Sequence, residues 1–186
     1  MIDWLVNLDR ALFVFLNGIH HPSMDPIMVF FSAKLVWVPL YAFLIYLLFK
    51  RFHKQGFIYL IAVLLAVGAA DQLTSTLMKP GFERLRPCHD PELIEVTRVV
   101  DRCGGRYGFA SGHAANTFML AAFFVGVFAD NRRMRWLFLW SALVAYSRIY
   151  LGVHFPGDVI VGALLGVTIG YGFFWSARKI ADARAN

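Results

Sequence analysis

The chain has 186 residues, 59% hydrophobic and only 16% charged, with a mean hydropathy of +0.58 and a net charge of +6. A soluble domain of this length cannot hide so much apolar surface, so an integral membrane protein is expected. The basic balance then reads as cytoplasmic loops and contact with anionic lipid; the sequence carries no RNA- or DNA-binding pattern, and nucleic acid is not an expected partner.

In chain order, residues 3–19 alternate polar and apolar positions at helical spacing, with Leu5, Leu8, Leu12, Phe13, Phe15 and Leu16 on one broad face. This predicts an amphipathic helix lying in the membrane interface. Asp3 and Asp9 precede Arg10, so the start lacks the basic region and clean apolar core of a cleavable signal peptide, and the first helices are expected to insert uncleaved. The run HHPSMDP breaks this helix, and Ser23 is placed to cap the next one.

Five apolar segments follow, at Ile27–Phe49, Phe57–Met78, Ala114–Ala129, Trp136–Leu151 and Val159–Trp175. Each is near or just under the length of a bilayer span. Lys34 interrupts the first; either its side chain snorkels or the span begins after it. The expected fold is therefore all-α: a polytopic membrane helical bundle of about five transmembrane helices plus the N-terminal interfacial helix, forming one domain over residues 1–186.

The connectors predict orientation. Lys50, Arg51, Lys54, Arg132, Arg133, Arg135, Arg178, Lys179 and Arg184 all fall on one side if each segment crosses once. That side is cytoplasmic by the positive-inside rule. Arg132, Arg133 and Arg135 read as a topology signal only. The long loop 79–110 and the turn at His154 then lie outside, and the loop's own Lys79, Arg84, Arg86, Arg98, Arg102 and Arg106 suggest that some of them bind an anion.

Three stretches converge on that outer face: KPGFERLRP, with Lys79, Arg86 and Pro87; SGH, with Ser111, Gly112 and His113; and SRIYLGVHFPGD, with Ser147, Arg148, His154 and Asp158. Two guanidinium forks and an ammonium suit phosphate oxygens. Ser111 can cap the helix that follows, and Gly112 lets backbone N–H groups approach an anion. Such donors can hold a phosphoryl group and stabilise the charge its transition state gains. If HFPGD opens a helix, Asp158 falls back toward the His154 ring and orients it as a nucleophile, with Pro156 in the first turn. His113 is then the acid for the leaving oxygen and the base for water. No metal is required by this scheme, and the nearby cations would repel one from the His113, His154 and Asp158 set, which could otherwise bind zinc.

The arrangement resembles the type 2 phosphatidic acid phosphatase superfamily, membrane lipid phosphatases with haloperoxidase relatives. The first and third motifs match in full; in the second, Ala110 stands where the family has proline. The resemblance implies a helical bundle, a phosphohistidine intermediate and no cofactor. It implies a membrane lipid phosphate as substrate, with His154, His113 and Asp158 catalytic and Lys79, Arg86, Arg148, Ser111 and Gly112 on the phosphate.

A multi-pass enzyme of a bacterial inner membrane is expected, with its site facing the periplasm. Undecaprenyl diphosphate is placed first among substrates, then phosphatidylglycerophosphate and phosphatidic acid. A lipid A 1-phosphatase or a lipid phosphotransferase is the alternative. A transporter or flippase is disfavoured, since the charges cluster at one face and no repeated halves are visible. Cys88 and Cys103 can form a disulfide across the outer loop in an oxidising compartment. Asp71, within the second span, either pairs with a motif arginine or lines the lipid entrance. Gly162, Ala163, Gly166 and Gly170 read as a helix-packing stripe. His20, His21, His53 and His89 have no matching partners.

Overall fold

The computed structural model describes residues 2–185. Among these the chain is helical, with one isolated antiparallel bridge between Leu85 and Tyr107. The helices are α1 (Ile2–Gly18), α2 (Asp25–Ser32), α3 (Val38–Phe52), α4 (Gly56–Asp71), α5 (Lys79–Phe82), α6 (Gly112–Val127), α7 (Trp136–Tyr150) and α8 (Pro156–Ala185). A π-helical stretch, Gln72–Met78, joins α4 to α5. Two helical stretches are long and apolar enough to cross a bilayer, Leu35–Phe82 and Pro156–Arg184. The first turns back on itself at His53, where φ is 48°, so α3 and α4 lie side by side and Phe49 meets Phe57 with ring centroids 4.8 Å apart.

Several boundaries differ from the sequence expectation. The first apolar segment is two helices, and Lys34 sits in the break between them. The stretch long and apolar enough to cross therefore starts after the lysine, at Leu35, which removes a charge from the helix interior. Ser23 does not cap α2: it lies in a 3-10 turn, Pro22–Met24, and its N–H donates to His21 Nδ1 at 3.3 Å. The last helix runs to Ala185, well past Trp175, because nothing in the basic tail breaks it.

α6 is the centre of the bundle, packed against α4, α7 and α8. Its contact with α8 is made backbone to backbone. A Cβ on Gly162 would stand 2.5 Å from the Ser111 carbonyl oxygen, and one on Gly166 or Gly170 would collide with the carbonyls of Ala115 and Met119. Glycines at every fourth position thus let the two helices touch, as small residues do where lipid tails remove any hydrophobic gain from helix pairing. Ala114 and Ala122 meet these glycines from the α6 side.

α1 docks across one end of the bundle. Phe13 is buried against Phe155, with centroids 5.3 Å apart. Asn17 caps the end of α7 through its amide, which donates to Ile149 O at 3.2 Å and Tyr150 O at 2.9 Å, while its own oxygen accepts Arg98 N–H at 2.9 Å. Trp4, Leu5, Leu8, Leu12 and Phe15 remain exposed. The same end carries the 83–111 loop, closed by a Cys88–Cys103 disulfide over a separation of 15 residues; closure of such a loop contributes about 3 kcal/mol. Gly152, at φ +78°, lets this loop lie on the α7–α8 turn, since a Cβ there would stand 2.5 Å from Arg98 O.

The seam predicts a contrast. Gly166→Ala should lower stability by about 1–3 kcal/mol, because α6 and α8 must separate. Gly172→Ala, with open space around it, should be neutral or slightly stabilising through helix propensity. Thermal unfolding of the two variants in detergent tests this; equal melting temperatures would refute the close-contact reading.

Candidate active site

One cavity of about 770 Å³ gathers Lys79, Arg86, Gly112, His113, Arg148 and His154. The residues come from four places: the start of α5, the outer loop, the start of α6, and the end of α7 with the turn after it. Both histidines therefore face the same space from the same end of the bundle. Ser111 and Asp158 are buried behind them.

The HFPGD turn explains how Asp158 reaches His154. Phe155 precedes the first turn of α8, Pro156 opens that turn, and Asp158 is its third residue. An acid at that position folds back onto the start of its own helix. Here Oδ2 accepts Phe155 N–H at 3.0 Å and lies 3.3 Å from His154 Nδ1. With Nδ1 committed to the carboxylate, Nε2 is the free ring nitrogen. His154 is 2% exposed, and burial pushes its imidazole down to about 4, against the opposing pull of Asp158. The ring is thus neutral and carries an available lone pair at ordinary pH.

Arg86 is held by backbone. Nε donates to Tyr107 O at 3.3 Å and Nη1 to Val153 O at 3.3 Å. Burial lowers its affinity for a proton, yet a guanidinium this basic stays charged. Arg148 is anchored through Nη1 on the Ser32 hydroxyl, at the last turn of α2, and its buried Nε has no partner. Each fork is therefore fixed on one side and free on the other, which is the geometry for receiving an anion.

One expected contact is absent. Ser111 stands at the cap position of α6, but its hydroxyl makes no capping bond and is buried without a partner. Its N–H donates to Asp158 O at 2.9 Å, so its backbone ties α6 to α8. Ser147, although inside a motif, bonds its own helix at Val144 O, 2.7 Å away.

Sequence reasoning passed over two further cavity residues. Asn116 lies one turn beyond His113 on the same face of α6, and its buried Oδ1 has no partner. Helical spacing from His113 would have found it. Lys34 adds a fourth cation from the α2–α3 break; its only signal was a charge in an apolar run. Asp71 lines the cavity, and among the described residues it forms no ion pair with a motif arginine. Below this polar end the same cavity continues between apolar walls, Tyr41 and Leu44 from α3, Leu60 and Val67 from α4, Leu120 and Phe124 from α6.

Residues 55–182 match the profile of the PAP2 superfamily. The chain is 41% identical to the lipid A 4'-phosphatase of Bacteroides thetaiotaomicron, with 97% of this chain and 81% of that protein aligned. It is 42% identical to the lipid A 4'-phosphatase of Porphyromonas gingivalis, over 98% of this chain and 78% of that protein. Among solved structures it is similar to Aquifex aeolicus LpxE, with a TM-score of 0.65 and 28% identity over 89% of this chain and 94% of that one. It also shares its fold with a transmembrane PAP2-type phosphatidylglycerolphosphate phosphatase from Bacillus subtilis, with a TM-score of 0.75 and 23% identity over 95% and 87% of the two chains. A profile match over more than two thirds of the sequence, together with relatives above 40% identity along nearly its whole length, makes this chain a member of the PAP2 superfamily.

Proposed function

We propose that this protein is a lipid phosphatase that removes a phosphate from lipid A, the 4'-phosphate first. The observation that carries this reading is the single cavity in which four cations and two histidines stand at one end of an apolar channel. A phosphate headgroup fits the first part and acyl chains fit the second. The order of substrates inferred from the sequence is thereby revised. Undecaprenyl diphosphate stood first, but the two relatives aligned over almost the whole chain are both lipid A 4'-phosphatases, so lipid A moves from alternative to leading reading, with the 4'-phosphate in place of the 1-phosphate.

In the proposed mechanism His154 Nε2 attacks phosphorus as the bond to the sugar oxygen breaks. His113 protonates that oxygen as it leaves. His113 then takes a proton from water, whose oxygen attacks the phosphohistidine, and free phosphate and neutral His154 are restored. Arg86, Arg148, Lys79 and Lys34 compensate the charge on the equatorial oxygens, which is the role a metal ion would otherwise fill. Asp158 keeps Nδ1 protonated and stabilises the imidazolium-like charge that forms on attack.

The proposed topology has one unit with five crossings, by α3, α4 with its π-helical extension, α6, α7 and α8. The basic connectors face the cytoplasm, and the site faces the periplasm of an inner membrane. α1, with its exposed Trp4, Leu8 and Phe15, lies at the outer interface.

Two measurements test the proposal. The first is a panel of lipid A bisphosphate, undecaprenyl diphosphate, phosphatidylglycerophosphate and phosphatidic acid, presented to purified protein in chelator with phosphate release as readout. The highest kcat/KM is expected for lipid A, and a higher value for undecaprenyl diphosphate would reject the assignment. The second concerns the nucleophile. His154→Ala should reduce hydrolysis to background, and His113→Ala should cost about 10²–10⁴-fold. Because His154 protonates only near about 4, kcat/KM should persist at about pH 5, where an ordinary imidazole is charged, and fall below that. The substrate's own ionisation is read separately by phosphorus NMR. A loss centred at the ordinary imidazole value would contradict the buried-neutral reading.

A further inference from the structure

Asp158 has two carboxylate oxygens, and the reaction above accounts for one. Oδ2 serves His154 and Phe155 N–H. Oδ1 accepts a hydrogen bond from Arg84 Nη1 at 2.9 Å. The other arm of that fork, Nη2, donates to Asp9 Oδ2 at 2.6 Å. Asp9 in turn accepts Gly157 N–H on Oδ1 at 2.7 Å, at the start of the same helix that carries Asp158. The guanidinium lies 4.2 Å from the centroid of the Phe155 ring, which packs on Phe13 of α1. Gly157 leaves room for this contact, since a Cβ there would stand 2.7 Å from Asp9 Oδ2. Asp158 is completely buried, whereas Arg84 and Asp9 are 27% and 15% exposed.

Neither Arg84 nor Asp9 lines the phosphate cavity. Both face a separate groove between α1, α5 and α8. Arg84 therefore stands behind the carboxylate, out of reach of substrate. We propose that Arg84, braced by Asp9, is a positioning residue that holds and partly neutralises the carboxylate orienting His154. The proposal rests on the phosphohistidine reading above.

The physical reason is the burial of Asp158. A fully buried carboxylate needs hydrogen-bond donors and a compensating charge. If His154 supplied all of that charge, the imidazole would be held as imidazolium and could not attack. Arg84 supplies it from the other side, so the ring keeps the lone pair. The charged and titratable groups facing His154 are Asp158 on α8, Arg86 from the loop, Arg148 on α7 and His113 on α6. Only Asp158 favours the protonated ring, and Arg84 is the cation bonded directly to it.

Kinetics of the purified full chain with lipid A bisphosphate test this. Arg84→Gln should lower kcat by about 10–100-fold with little change in KM, and should move the acid limb of kcat/KM upward by about one pH unit, as the carboxylate's charge turns fully on the ring. Arg84→Lys, which keeps the charge, should restore the limb toward wild type. Asp9→Asn keeps the cation but loosens it, so kcat should fall without an upward move of the limb. An unmoved limb in Arg84→Gln, or a loss expressed in KM, overturns the proposal. Should Arg84→Gln not fold, Asp9→Asn decides: reduced kcat at unchanged KM upholds it and wild-type kinetics overturn it. His154→Ala separates the two readings. Activity surviving in that variant sinks the phosphohistidine mechanism itself, whereas an inactive His154→Ala beside wild-type-like Arg84 variants removes the positioning role alone.

Discussion

Asp158 is a carboxylate with no exposed surface at the first turn of a long helix, and a buried charge of that kind is stable only if every oxygen is occupied. Phe155 N–H, the His154 ring and Arg84 occupy them, and the carbonyl of the same residue accepts Ser111 N–H. Through these four contacts one residue joins α8, the α7–α8 turn, the outer loop and the start of α6. The proposed nucleophile, its orienting group and the segment bearing the proposed acid are thus registered against one another through a single residue, its carboxylate holding the first and its carbonyl the last.

The α6–α8 seam supplies the rigidity behind that registration. Gly162 lies against the Ser111 carbonyl, one turn beyond Asp158 on the same helix. The distance between the two histidines is therefore set by backbone contact, which does not relax the way side-chain packing does. The cations come from helix ends and loops alike, and these segments are pinned: the disulfide closes the outer loop, Asn17 ties α1 to the end of α7, and Arg86 hangs from two carbonyls.

The electrostatics of the cavity follow from what each fork is denied. Arg86 and Arg148 each spend part of their donor set on neutral groups, a pair of carbonyls in one case and the Ser32 hydroxyl in the other. Neither is neutralised by a carboxylate among the described residues. The four cations facing one space outnumber Asp71, the carboxylate that lines it with them, so they repel each other and a phosphate relieves that repulsion. By contrast, Arg10, Arg84 and Arg98 of the same outer end are all paired with acids, which distinguishes cations that build the scaffold from cations left for a ligand.

Much of this was written into local sequence. Apolar runs, basic connectors, the small-residue stripe and three motifs with fixed internal spacing by themselves determined an all-helical membrane protein and gathered His113, His154, Asp158, Lys79, Arg86 and Arg148 at one face. They could do so because helix periodicity and the i, i+4 relation between His154 and Asp158 are local properties. Tertiary structure alone decided the break at Lys34, the unbonded Ser111 hydroxyl, the place of Asn116 and Asp71 in the cavity, and the Asp9–Arg84–Asp158 chain. Those contacts join residues separated by 74, 75 and 148 positions. No spacing rule reaches so far: which of several loop arginines meets a buried carboxylate depends on how α1 and the outer loop pack on the ends of α7 and α8.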